Sequence, residues 1–109
     1  MTEIACNLDA LSKEERSRRS ALAAAVHGGV ARINETTFGY RLQLPGDPEF
    51  CRDLVDLVLL ERRCCPFLEI AIHFEPEGGP AYLDVGGPSG VKEFLADAGV
   101  LGCGDAGSC

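Results

Sequence analysis

Residues 68–75 alternate without a break: Leu68, Ile70, Ile72 and Phe74 against Glu69, Ala71, His73 and Glu75. A period of two suits a strand with one buried face and rules out an amphipathic helix there. The same period recurs downstream, where Ala81, Leu83 and Val85 alternate with Tyr82 and Asp84. The intervening segment 76–80 carries Gly78-Gly79 between two prolines, so the two runs read as a hairpin. Upstream, Phe38, Tyr40, Leu42 and Leu44 alternate with Gly39, Arg41 and Gln43, and 30–44 reads as a first hairpin turning at 34–37. Strands of this kind need cover on one side only.

Three helical segments can supply that cover. Ser12 and Glu15 have capping-box spacing before an alanine-rich run through Val26, and Gly28-Gly29 ends it. Leu8 and Leu11 fit either this helix or the turn before it. Asp47 is placed to cap a second helix with Pro48 at its first position. That helix runs from Pro48 to about Cys64, with Phe50, Leu54, Leu57 and Val58 on one face and Glu61 continuing it. Pro66 cannot extend it. Pro88 and Ser89 open a third helix, striped by Val91, Phe94 and Leu95 and stopped near Gly99. The expected fold is α+β, in the order α-ββ-α-ββ-α. It is a two-layer arrangement of a four-stranded, mainly antiparallel sheet with helices on one face. We expect one domain over 1–99 and a flexible tail over 100–109 that carries Cys103 and Cys109.

The chain has 109 residues, 46% of them hydrophobic, and a formal net charge of −7. That length holds a core without disulfide staples. The acidic balance argues against broad nucleic-acid binding and against docking on an anionic membrane. No segment approaches the ~20 apolar residues of a membrane span. The N-terminus shows no basic region followed by an apolar run, so the expected location is cytoplasmic. A reducing compartment disfavours a disulfide framework. The six cysteines are therefore expected as metal ligands, redox thiols or buried apolar residues.

Cys64-Cys65-Pro66-Phe67 is the sharpest chemical feature. Adjacent helical side chains project about 100° apart, so two neighbouring cysteines are not expected in one apolar site unless the chain turns. The turn before Pro66 would bring the two sulfurs together. Soft thiolates select soft ions, and the pair suits Hg(II), Cu(I) or, with a third thiolate, As(III). Cys6 is a candidate for that third sulfur, and Cys103 and Cys109 for passing the ion in or out. Arg62 and Arg63 would favour the thiolate, whereas Glu61 and the helix C-terminus would oppose it. Glu61 lies on the face of the pair, either partly buried and able to take thiol protons, or paired with Arg16, Arg18 or Arg19. Cys51 is ~20 Å from Cys64 by helical rise and reads as core. His73 reads as a surface residue, and His27 as a complement to its helix dipole. The cysteine spacing departs from the C-x2-4-C pairs of structural zinc sites and from C-x-x-C redox centres.

Glu61-Arg62-Arg63-Cys64-Cys65-Pro66-Phe67-Leu68 is followed by a strand, Glu77-Gly78-Gly79-Pro80, a second strand, Gly87-Pro88 and Val91-Lys92-Glu93-Phe94-Leu95. Together with the Ile4-Ala5-Cys6 start, this resembles a family of small bacterial proteins associated with mercury and arsenic resistance. The resemblance implies a heavy-metal or metalloid role with Cys6, Cys64 and Cys65 as the shared thiols. The leading expectation is binding or transfer of a soft ion, with another thiol protein as the transfer partner, rather than turnover, with no organic cofactor. The alternatives are a thiol-dependent redox enzyme with Cys64 or Cys65 as nucleophile and Glu61 handling protons, and a small interaction domain with incidental cysteines.

Overall fold

A computed structural model of the protein describes residues 7–98. A short 3-10 turn at Leu8–Ala10 leads into α1 (Lys13–Gly28), then β1 (Arg32–Glu35), β2 (Gly39–Leu44), α2 (Pro48–Cys64), β3 (Glu69–Phe74), β4 (Ala81–Gly86) and α3 (Val91–Ala98). The sheet is four-stranded and antiparallel throughout, in the order β1-β2-β4-β3. The two hairpins therefore join through β2 and β4, which leaves β1 and β3 as the edges.

Local signals set the helix ends. Ser12 accepts from the Glu15 amide and Glu15 returns to the Ser12 amide, completing the capping box. Asp47 accepts from the Phe50 amide, with Pro48 in the first turn of α2. Leu42, Leu44, Leu83 and Val85 project from one sheet face onto Leu22, Ala23 and Val26 of α1, Leu54 and Leu57 of α2, and Val91 and Leu95 of α3. Each such leucine gives about 1.5–3 kcal/mol on leaving water, and this shared layer holds the fold together. Arg18 bonds Asp56 at 2.6 Å, Arg63 pairs with Glu15, and Lys92 reaches Glu35 at 2.7 Å. These exposed pairs align elements and add little stability.

The strand reading differs at the first hairpin: Asn34 and Glu35, expected in the turn, end β1, and the turn spans 36–38. Phe38 does not continue the apolar face of β2; it is 68% exposed and borders a basin on the open sheet face with Arg41, Tyr82 and Asp84. Phe38 falls in the turn between β1 and β2, and the ladder with β4 begins one residue later, where Gly39 pairs with Gly86. A Cβ on Gly39 would fall on the Val85 carbonyl oxygen, and one on Gly86 on the Phe38 carbonyl oxygen. We predict that Gly39→Ala destabilises the protein by about 1–3 kcal/mol, the usual cost of overpacking. Urea unfolding followed by circular dichroism measures it.

Candidate thiol site

Cys64 is the last residue of α2, and Cys65 caps it with φ −127° and ψ 70°, outside helical geometry. The Cys65 amide still donates to Glu61 O at 2.7 Å, so the departure falls between its N–H and its carbonyl. This half-turn brings Cys65 Sγ to 3.6 Å from Cys64 Sγ. Both residues are fully buried, in one apolar cluster with Leu11 and Phe67. Helical projection alone argues against such co-burial, and the turn imposed before Pro66 overrides it.

The walls of this cluster come from four parts of the chain. Leu8 and Leu11 enter from the turn before α1, Leu60 from α2, Leu68 from the residue before β3 and Phe94 from α3. Phe67 and Phe94 meet edge to face with centroids 5.1 Å apart. The Asn7 amide donates to Cys64 O at 2.6 Å, and Arg63 Nη2 donates to Ala10 O at 2.9 Å. The segment before α1 is thus tied across the end of α2.

Glu61 lies one turn before the pair and is buried. Its Oε1 accepts from Arg19 Nη2 at 2.7 Å, and its buried Oε2 has no hydrogen-bond partner among the described residues. Burial raises the Glu61 carboxyl to about 7, against the opposing pull of Arg19. Burial also raises the Cys64 thiol, and the Glu61 charge adds to that rise. The two arginines beside the pair do not reverse it: both Arg62 and Arg63 are exposed, and Arg63 is committed to Glu15 and Ala10.

Glu61, Cys64 and Cys65 offer ligand atoms that all lie within 4.8 Å of one another. Cys51 and Cys64 are free thiols, and Cys65 is disulfide-bonded. Cys51 is half-buried beside the Pro45 carbonyl and stands apart from the group. His73 is exposed on the open sheet face, near Glu75 and the Tyr82 ring. His27 lies in the last turn of α1. Cys6, Cys103 and Cys109 lie outside the described residues, as does the segment expected as a tail. Among the described residues, no helix is long and apolar enough to cross a membrane.

Sequence reading named Arg19 only as one of three candidate partners for Glu61. Its signal was spacing: Arg19 falls in register with Leu22, Ala23 and Val26, the buried stripe of α1. Leu11, Phe67 and Phe94 converge on the site only through the fold. No family model matches the chain, and no match is found among curated proteins or solved structures.

The burial of Glu61 makes stability pH-dependent. Glu61 titrates near 7 in the folded chain, above its ordinary 4.5. Its contribution is therefore full below pH 4.5 and is lost as pH rises through 7. Removing the cation with Arg19→Met should cost about 3–5 kcal/mol at pH 8, where the carboxylate is left charged and buried. The loss should be smaller at pH 5, where Glu61 is protonated. Glu61→Gln should flatten the wild-type slope across that window. Denaturant midpoints at the two pH values decide the matter.

Proposed function

We propose that the protein binds a soft metal or metalloid ion through Cys64 and Cys65 as a cytoplasmic detoxification or transfer protein. The observation that carries this reading is the convergence of two buried sulfurs and a buried carboxylate within 4.8 Å. Two sulfurs 3.6 Å apart subtend about 100° at an ion bonded to each at about 2.3 Å. That angle suits a pyramidal three-thiolate As(III) site or a trigonal Cu(I) or Hg(II) site. A linear Hg(II) dithiolate needs a separation of about 4.6 Å, and the sulfurs would have to part to reach it. The Asn7–Cys64 hydrogen bond supports Cys6, the residue covalently before Asn7, as the third thiol. Glu61 Oε2 is positioned to take a thiol proton as the ion binds. Cys103 and Cys109 would hand the ion to or from the pair by ligand exchange, with another thiol protein as donor or acceptor.

Binding through both sulfurs requires that the Cys65 disulfide first be reduced, with two electrons and two protons supplied by a thiol or phosphine. The disulfide beside a free Cys64 thiol favours a second reading, a thiol redox centre. The raised pKa of Cys64 weighs against it, because a redox nucleophile needs an accessible thiolate at working pH. An ion, by contrast, can displace the proton, and its affinity then rises with pH as the thiol deprotonates.

The fully reduced protein, titrated anaerobically with Hg(II), As(III), Cu(I) and Zn(II), should bind one soft ion in preference to zinc by native mass spectrometry. Cys64→Ser/Cys65→Ser should abolish that binding. Equal binding by the variant would sink the metal reading. A single thiol alkylated fast at pH 7 in the metal-free protein would move the assignment to redox chemistry.

A further inference from the structure

The edge strand β3 is built differently from the edge strand β1. β1 has four residues, all exposed, with Arg32 and Glu35 at its ends. Short, charged edges resist pairing with other chains. β3 has six residues, contains neither proline nor lysine, and pairs only with β4 among the described residues. Its helix-side residues Ile70 and Ile72 are half-buried, and Phe74 is 54% exposed.

The apolar surface extends onto α2. Phe74 and Val55 border one groove, and Leu59 lies one turn beyond Val55 on the same side of the helix. Val55, Leu59 and Phe74 are three of the five exposed large apolar side chains among the described residues. α2 ends where β3 begins, and the far end of β3 lies beside the first half of α2. The two elements therefore run antiparallel, with the helix stripe alongside the strand edge.

We propose that this edge is completed by a second copy of the chain, β3 pairing antiparallel with β3 about a two-fold axis through Ala71. The sequence of the strand is self-complementary in that register. Glu69 of one copy faces His73 of the other on the open sheet face, twice by symmetry. Ile70 faces Ile72 and Leu68 faces Phe74 on the helix side. Pro66 and Pro76 stand five residues either side of Ala71, so the ladder ends at a proline in both directions.

The neighbouring registers are worse. Residues directly opposite in an antiparallel pair share a face, so the axis moves in whole residues. With the axis on Ile70, Pro66 lies opposite Phe74 and interrupts the ladder. With the axis on Ile72, Glu69 faces Glu75 and Leu68 faces Pro76. Only the Ala71 register sets a carboxylate opposite an imidazole in a proline-free ladder. It makes one continuous eight-stranded sheet, with both helix layers on the same side and the two Val55–Leu59 stripes facing across the seam.

Sedimentation equilibrium of the full chain under reducing conditions tests this, with far-UV circular dichroism confirming that each variant is folded. The wild type should be a dimer. Phe74→Lys should leave it monomeric. Glu69→Arg should raise the dissociation constant about tenfold, because two cross-strand carboxylate–imidazole contacts are lost together. Glu69→Arg/His73→Glu should bring it back to the wild-type value. A wild type that stays monomeric up to about 1 mM, where association is worth only some 4 kcal/mol, overturns the proposal. So does a dimer indifferent to Phe74→Lys, or a charge reversal that the second substitution does not repair.

Discussion

Pro66 constrains more of this structure than any other residue. It has no amide hydrogen, and its ring blocks continuation of α2, so the helix must stop within two residues of it. Cys64 is the last helical residue and Cys65 the first to leave, with its amide still bonded to Glu61 and its carbonyl accepting from the Leu68 amide. The chain then enters β3 at Glu69. One covalent restriction thus brings two sulfurs together and directs the next strand to the sheet edge.

The pocket that receives those sulfurs combines features that usually oppose each other. Leu11, Phe67 and Phe94 make it apolar, while Glu61 and Arg19 bring a buried ion pair to its side. A buried pair seldom adds stability over well-packed apolar residues. Its presence here makes sense if the charge is needed near the thiols. The same desolvation that raises the carboxyl raises the Cys64 thiol. Glu61 and Cys64 are therefore both held toward their protonated forms.

The elements were legible because local chemistry specifies them. The capping box at Ser12, the Asp47-Pro48 start, the Pro66 stop and the alternation over 68–75 each depend on neighbours a few residues away. The β2 boundary was less legible. Phe38 obeys the alternation but lies in the turn just before Gly39, where β2 and β4 approach too closely for a Cβ, a contact between positions almost fifty residues apart. Cys64, Cys65 and Glu61 were legible as a set because Glu61 lies three and four residues before the cysteines and Pro66 forces a turn at Cys65. Arg19 was harder to identify, since any of three nearby arginines satisfies the sequence and only the packing of α1 against α2 selects one.

By itself, the sequence determined the order of helices and strands, the single buried face of the sheet and the juxtaposition of the two cysteines, all of which follow from periodicity and from proline and capping chemistry. The tertiary structure alone decided the strand order β1-β2-β4-β3, the partner of Glu61, the depth of the thiols and which edge strand carries the apolar surface. These depend on how three helices share one sheet face. That choice is made by the shape and volume of a common core, to which each segment contributes without specifying it.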